Sequence, residues 1–312
     1  MSQYRTERWV ALFAVGLVIV VFAFLVGALT ATNAPLDPYN HGDTGTSRLA
    51  DATRGSVALS YTSVGDGPTP EAVIVVGGSG DVTTDDVATL ESYLADGGRV
   101  VILTEDKRSN QLLAALDIKT RIAAGYLLAT ETESESPTQF VVADSGDDAL
   151  GFGGVQVNAA KPLGITEPKK GTARRVLAWS GPAGRDLNGD GQLGAGEPRG
   201  SYPVAVTESV GPGQVTVVGD ASLLTNGQWQ VKGNRQFART LTGGDAMLIY
   251  PQTTSFPLVT RFRLSLNTPF GTLLGLILFC GGGIITVRFG VWMYNRVGNE
   301  RPDEAAFQFT LR

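Results

Sequence analysis

A twelve-residue run rich in oxygen-bearing side chains has the spacing of a calcium loop. Asp186, Asn188 and Asp190 stand at loop positions 1, 3 and 5, Gln192 stands at position 7, and Glu197 stands at position 12. Carboxylate, amide and backbone carbonyl oxygens are the ligands that Ca²⁺ prefers. The flanking residues do not predict helices, so the loop would join two strands. The alternative is an Asp/Asn/Gly turn that holds no metal.

A second group of candidate residues follows two strand-like segments. Gly77, Gly78, Ser79 and Gly80 follow a β-branched run, and Asp220 follows another. Because α/β folds bind ligands at the carboxyl ends of their parallel strands, these residues predict a ligand-binding edge. A tight turn with positive φ explains the glycines equally well, and Asp220 also suits a cap on the next turn.

The sequence gives little support for nucleophilic catalysis. It contains one cysteine, Cys280, in an apolar run, and one histidine, His41, in a polar segment. A serine triad would have to use that histidine, and no Gly-x-Ser-x-Gly sequence accompanies it. His41 suits a metal ligand, a base or a solvated linker residue. We therefore predict a protein that is not an enzyme.

The elements that must position these residues alternate between strand and helix. Residues 72–78 and 99–105 are β-branched runs, and residues 83–98 between them have helical periodicity, acidic residues in the first turn and a Gly-Gly end. A second predicted helix begins near Ser109. Such alternation predicts right-handed βαβ crossovers, a mainly parallel sheet and the α/β fold class.

Two uncharged segments, residues 9–31 and 264–287, are long and apolar enough to predict transmembrane helices, and a cleaved signal sequence is the alternative for the first. Basic residues at the outer flanks predict that both tails are cytoplasmic and that the central domain is extracytoplasmic. The predicted division is a tail (1–8), a span (9–31), an α/β domain (32–263) that begins with a linker (32–44), a second span (264–287) and a tail (288–312). Gly271 and Gly275 form a Gly-x-x-x-Gly face for packing on the first span or on a partner helix.

The charge balance excludes one class of partner. The net charge is −5, with 25 basic and 30 acidic residues. Because a surplus of acidic groups repels phosphates, we predict no general binding to nucleic acid.

Several segments together resemble a known family. They are NAPLDPYNHGDTGTSRLADAT, VIVVGGSGDVTTDDVATLESYLADGGRVVILTED, WSGPAGRDLNGDGQLGAGEPRGSYPVAV and VTVVGDASLLTNGQW followed by NRQF. This ordered set resembles the archaeal domain of unknown function 4350 family. The resemblance implies a membrane-anchored protein with a flavodoxin-like domain, similar to class I glutamine amidotransferases and to auxiliary proteins of gliding-type ABC transporters. It also implies association with MoxR-type ATPases. Amidotransferases use a cysteine, a histidine and a glutamate, and the predicted domain lacks the cysteine.

These observations lead to a functional hypothesis with two alternatives. The preferred hypothesis is a non-catalytic, membrane-anchored domain that binds a membrane or surface protein partner or a small ligand as the accessory subunit of a membrane assembly. The alternatives are a calcium-dependent extracellular hydrolase and an auxiliary subunit of an ABC-type transporter.

Overall fold

The computed structural model describes most of the chain between residues 32 and 251. The described residues are 16, 32–53, 56–78, 80–130, 136–144, 153–166, 173–242, 244–251 and 288. The chain divides into two units, residues 31–264 and residues 1–30 with 265–312. Nearly all of the second unit lies outside the described residues, so the fold is that of the first.

Strands outnumber helices in the described part of the fold. The strands are β1 (Val57–Ala58), β2 (Ala72–Val76), β3 (Arg99–Leu103), β4 (Thr120–Ile122), β5 (Tyr126–Ala129), β6 (Gln139–Val141), β7 (Ala143–Asp144), β8 (Gln156–Asn158), β9 (Leu163–Ile165), β10 (Arg174–Trp179), β11 (Ala183–Asp186), β12 (Arg199–Gly200), β13 (Pro203–Val210), β14 (Gly213–Val218) and β15 (Ala246–Ile249). The α-helices are α1 (Ser47–Ala52), α2 (Thr84–Ala95), α3 (Ser109–Ala115) and α4 (Lys232–Thr242). Short 3₁₀ helices lie at Tyr61–Gly65, Ser222–Leu224 and Gln228–Gln230.

One half of the main sheet is parallel and covered on both faces. The eight strands have the order β1-β15-β2-β3-β14-β13-β10-β7, and the first five pair in parallel. Alternate residues of β2 enter opposite cores: Val73 belongs to the core that contains Leu90 of α2, whereas Ile74 belongs to the core that contains Phe237 of α4. Every residue of β2 is buried, as expected for a strand between two helical layers.

The predicted β2–α2–β3 unit is confirmed, and its helix begins at a well-formed cap. The Thr83 side chain accepts a hydrogen bond from the Asp86 backbone N–H, and the Asp86 carboxylate accepts one from the Thr83 backbone N–H. This reciprocal pair satisfies two backbone donors of the first turn. It therefore fixes where the chain leaves the glycine turn after β2 and enters α2.

The prediction of a flavodoxin-like, mainly parallel sheet flanked by transmembrane helices is wrong. The strands β14, β13, β10 and β7 pair antiparallel, so the main sheet is mixed. Only Gly211 and Pro212 separate β13 from β14. Two residues can close an antiparallel hairpin but cannot provide the crossover that parallel strands need. The smaller sheets β12-β11-β5, β4-β9 and β6-β8 are antiparallel as well.

The segment predicted as a linker is packed into the domain. Asp37 and Asn40 are buried, and the Asn226 side chain amide donates to the backbone carbonyls of Asn40 and Gly42 at 2.9 and 2.8 Å. The Asn226 side chain oxygen accepts from the Arg48 backbone N–H at 3.0 Å. Both the nitrogen and the oxygen of this buried side chain amide have hydrogen-bond partners, so removing it would leave buried polar groups unpaired at a cost in stability. Asn226 therefore fixes the start of the domain to its C-terminal third.

The prediction of a two-span membrane protein has to be corrected. Across the residues that the structure describes, no helix has both the length and the apolar character needed to cross a membrane. Apart from Gly16, the segments 9–31 and 264–287 lie outside the described residues, as do Gly271 and Gly275. The predicted two-span topology, the extracytoplasmic localisation and the membrane anchor therefore have no support in the described part of the chain.

We expect Gly219→Ala to destabilise the domain by about 2–3 kcal/mol, the usual cost of overpacking a close contact. A Cβ at position 219 would lie 2.1 Å from the Lys161 backbone oxygen, so one backbone segment would have to move. Urea unfolding followed by circular dichroism measures the loss. The control is Gly65→Ala, where an added Cβ meets nothing within 4 Å. Equal unfolding midpoints for the two variants would contradict the expectation.

Candidate functional site

The carboxyl ends of three neighbouring parallel strands bring most of the predicted ligand-binding residues to one edge of the sheet. Gly77 follows β2, Glu105 lies just beyond β3, and Asp220 lies just beyond β14. The registers align Val76 with Leu103 and Leu103 with Val218. We call this side the carboxyl edge. It includes Gly77, Gly78, Gly80 and Asp220, whereas Ser79 lies outside the described residues.

The glycine turn after β2 needs glycine for its backbone and for close packing. Gly77 and Gly80 have φ values of +85° and +66°, which residues with a Cβ atom rarely adopt. A Cβ on Gly78 would lie 2.6 Å from a carboxylate oxygen of Asp106, and one on Gly80 would lie 2.3 Å from the Pro251 carbonyl oxygen. The turn therefore packs tightly on the neighbouring strand ends, in agreement with the tight-turn interpretation of these glycines.

A row of charges of alternating sign lies along the carboxyl edge. An Arg108 guanidinium nitrogen lies 2.7 Å from a carboxylate oxygen of Asp106, and Asp81 acts on the same guanidinium from the glycine-turn side. Lys161 acts electrostatically on Asp106 from the loop after β8. Asp106 and Arg108 share one loop, whereas Asp81 and Lys161 come from two others, so the fold brings the two ends of the row to a pair that is local in sequence. We call these four residues the charged rim.

Asp106 is held in its ionised form by this environment. Its partial burial alone would raise the pKa, but hydrogen bonds and charge from Arg108, together with the charge of Lys161, lower the pKa of the carboxyl group below its ordinary value. The Arg108 side chain is 68% exposed, so this ion pair contributes little to stability. Its importance is the charge that it presents to solvent.

An aromatic ring extends the charged rim. The Lys161 ammonium nitrogen lies 4.7 Å from the centre of the Tyr126 ring, within cation–π range, and the Tyr126 side chain is partly exposed. Leu187 is also exposed and lies beside the turn that precedes Tyr126, since a Cβ on Gly125 would meet its methyl group at 3.0 Å. The rim thus borders an apolar surface.

Asp220 is buried at the same edge and tied to two segments. One carboxylate oxygen accepts from the Asn158 backbone N–H at 2.6 Å. The other lies 2.7 Å from both the backbone nitrogen and the hydroxyl oxygen of Ser222. The bond to Ser222 two residues on is the turn-capping role that the sequence allowed. Within the described contacts, both oxygens have partners, so the arrangement favours a structural role.

The pKa of Asp220 differs strongly from its ordinary value. Complete burial is the largest cause and the negative charge of Glu105 acts in the same direction, while the hydrogen bonds from Asn158 and Ser222 oppose them; together they raise the pKa to about 7. Glu105 itself accepts from the Ala221 backbone N–H at 3.0 Å. Two carboxyl groups therefore meet at the end of β14, and the buried one is neutral in mildly acidic solution.

Sequence reasoning missed the charged rim and Glu105. A signal existed for Glu105 and Asp106, which come soon after a buried strand in the same way as Asp220. No local signal marks Lys161, because it lies in the long stretch of chain between β3 and β14 and reaches the carboxyl edge only through the fold of that stretch. Its position depends on the antiparallel elements that the sequence did not resolve.

The predicted calcium loop connects β11 to β12 and is organised by its own side chains. Asp186 accepts from the backbone N–H groups of Gly189 and Gly191 at 2.6 and 2.9 Å. The Glu197 carboxylate accepts from the backbone N–H groups of Leu187 and Gly194 at 2.6 and 2.9 Å. The loop lies between two strands, as predicted.

The loop does not present a preassembled metal site. The Asp190 backbone N–H donates to Asn188, and the Gln192 backbone N–H donates to Asp190. Among the residues that the structure describes, no group of three or more His, Cys, Asp or Glu side chains is placed to hold a metal ion. The calcium site therefore stays a prediction, and binding would require the carboxylates to converge further.

Comparison with known proteins gives one family and several remote structural similarities. A family described as "Domain of unknown function (DUF4350)" matches residues 30–242. No curated protein matches the chain.

The similarities to solved structures are low. The mmIFT52 N-terminal domain shares 12% identity over 60% of this chain and 82% of its own, with a TM-score of 0.42. An exo-beta-1,4-mannosidase from an Opitutaceae bacterium, strain TAV5, shares 19% identity over 57% of this chain and 27% of its own, with a TM-score of 0.31. A beta-galactosidase from Bacillus circulans sp. alkalophilus shares 15% identity over 58% of this chain and 23% of its own, with a TM-score of 0.32. These TM-scores carry no argument about function.

We expect the stability of the domain to fall between pH 5 and pH 8 because of Asp220. Since its pKa is about 7 in the folded state and near 3.8 when unfolded, the folded state binds the proton more tightly. The stabilisation is complete below about pH 4 and is lost as the pH rises through about 7. The loss from pH 5 to pH 8 is about 2–3 kcal/mol. Chemical unfolding measures it, with Asp220→Asn as the comparison. A wild-type slope equal to that of Asp220→Asn would exclude this assignment.

We expect calcium to bind the β11–β12 loop weakly, with a dissociation constant on the order of 10⁻³ M, because the ligands must first converge. Isothermal titration calorimetry with CaCl₂ should give a heat for the wild-type chain and none for Asp190→Ala. Asp66→Ala, which removes an exposed carboxylate elsewhere, is the matched control. If Asp190→Ala retains the wild-type heat, calcium binds elsewhere, and if the wild-type chain gives no heat, the calcium prediction is wrong.

Proposed function

We propose that this chain, which belongs to the DUF4350 family, is a non-catalytic binding module that docks a protein partner on the charged rim and the neighbouring Tyr126 ring. The observation that carries the proposal is the row Asp81, Arg108, Asp106 and Lys161 along the carboxyl edge. The module would act as an accessory subunit of a protein assembly.

The pattern of charges favours a protein over a small anion or a polyanion. Arg108 and Lys161 would attract an anionic group, but Asp81 and Asp106 stand beside them and repel it. A partner with charges of complementary order satisfies both signs at once, and such complementarity supplies specificity and a faster association rate. Tyr126 adds the partly exposed aromatic surface that is enriched in protein interfaces.

The buried groups at the same edge support binding rather than catalysis. Asp220 has the pKa of a general base, but both of its oxygens are occupied by Asn158 and Ser222. The Ser222 hydroxyl is also engaged, since it lies 2.6 Å from the Asn158 carbonyl oxygen. Asp220 and Ser222 would have to break these hydrogen bonds before they could act together on a substrate.

Several finer implications of the family resemblance remain predictions. They are an archaeal source, a likeness to class I glutamine amidotransferases and association with a MoxR-type ATPase. The amidotransferase nucleophile would have to be Cys280, which is the only cysteine of the chain and lies outside the described residues. A MoxR-type ATPase is accordingly one partner to look for.

The test is capture of partners by the tagged full-length chain in its source cells, followed by mass spectrometry and quantitative binding of the protein identified. We expect Arg108→Glu and Lys161→Glu each to weaken binding at least tenfold, because each variant places a negative charge opposite a negative group of the partner. Arg239→Glu on α4 makes the same charge change at another exposed position. Equal weakening by Arg239→Glu, or full binding by both rim variants, would contradict docking at the rim.

A further inference from the structure

The loop that carries Lys161 is held against the end of β14 by short contacts. We call residues 159–162 the β8–β9 loop. The Lys161 backbone N–H donates to the Gly219 carbonyl oxygen at 2.8 Å, and the Asn158 backbone N–H donates to Asp220 at 2.6 Å. Ala159 between them has a φ of +64°, a conformation that residues other than glycine rarely adopt. Such backbone strain persists only where the surrounding contacts enforce it.

The Ser222 hydroxyl lies between two oxygens and has one hydrogen. Its oxygen is 2.6 Å from the Asn158 carbonyl oxygen and 2.7 Å from a carboxylate oxygen of Asp220. The carbonyl can only accept, so the hydroxyl hydrogen must point to it if that contact is a hydrogen bond. The contact with Asp220 then needs a second hydrogen, which a neutral carboxyl group supplies.

We propose that Asp220 is a proton-dependent latch on the β8–β9 loop: the neutral carboxyl group donates to Ser222, Ser222 donates to Asn158, and ionisation breaks this chain. The inference rests on the proposed function in one respect, since the loop positions Lys161 of the charged rim. Asp220 is thus a positioning residue for docking and does not itself touch the partner.

Ionisation changes the direction of one hydrogen bond. A charged carboxylate is the stronger acceptor, so the Ser222 hydrogen turns to Asp220. The Asn158 carbonyl oxygen then faces the Ser222 oxygen with no hydrogen between them, and two acceptors at 2.6 Å repel each other. The strained Ala159 loses support on one side. The Asn158 N–H still donates to Asp220, so only the carbonyl side of Asn158, which leads into Ala159 and Lys161, is released. The loop is therefore held on both sides of Asn158 in mildly acidic solution and loosened on the carbonyl side above neutral pH.

The charged surroundings place this change near neutral pH. Glu105 faces Asp220 from the end of β3, and Asp106 and Lys161 lie farther along the same edge. From the side of α4, which packs on the 3₁₀ helix 222–224, Arg235 donates to the Trp229 carbonyl oxygen. Burial is the main cause of the raised pKa of Asp220, and Glu105 adds to it.

The test is amide hydrogen exchange on the full-length chain without partner, at pH 5.5 and pH 8, with rates corrected for intrinsic exchange. We expect protection at Lys161, whose backbone N–H donates to the Gly219 carbonyl oxygen, to fall about fivefold more between the two pH values than protection at Val101 and Val217 in the parallel strands, as loss of one hydrogen bond predicts. In Asp220→Asn, which cannot ionise, this extra change should disappear.

A second variant keeps the test decisive if Asp220→Asn does not fold. Ser222→Ala removes the bridging hydroxyl from the Asn158 carbonyl oxygen, so protection at Lys161 should be low at both pH values. The latch would be overturned if protection at Lys161 in the wild-type chain changed with pH only as much as protection at Val101 and Val217. It would also be overturned if Ser222→Ala showed the same change of Lys161 protection with pH as the wild-type chain. Because exchange is measured without partner, this failure is distinct from failure of docking, which only the binding of Arg108→Glu and Lys161→Glu reveals.

Discussion

The parallel pairing of β15, β2, β3 and β14 is the constraint on which the rest of the fold depends. Their side chains enter both cores, so α2 and α4 must cover opposite faces. Parallel pairing also aligns all of the carboxyl ends on one side. The glycine turn, Glu105, the Asp106–Arg108 pair and Asp220 meet there because the strands run in one direction, and the β8–β9 loop adds Lys161 to the same edge.

The features that were predictable from the sequence are local ones. The β2–α2–β3 unit has β-branched runs, a capping box at Thr83 and a Gly-Gly end, and each signal lies within a few residues of the element that it defines. The antiparallel half was misassigned although it had a local signal, since the Gly211–Pro212 spacer is too short for a crossover. The apolar composition of two segments predicted a membrane topology, which the described part of the structure corrects.

The candidate site was less predictable, because its chemistry depends on tertiary neighbours. Asp220 was recognised by its place after a strand, yet its pKa follows from burial and from Glu105, which lies 115 positions away in the sequence. Lys161 had no signal at all. The buried polar side chains of Asn226 and Asn234 also had no signal in the sequence. Each forms hydrogen bonds with the backbone of a distant loop, and these partners are known only from the fold.

The position of β15 has a consequence for the order in which the chain can fold. This strand is the last one in the described part of the chain, and it inserts between β1 and β2, which do not pair with each other. During synthesis, β2 is therefore an open edge with exposed backbone donors and acceptors until residue 249 has emerged, and such edges invite pairing with other chains. The family match ends at residue 242, before this strand begins. A fragment cut at that boundary would keep the charged rim but would leave β1 without its partner and β2 as an open edge of the sheet.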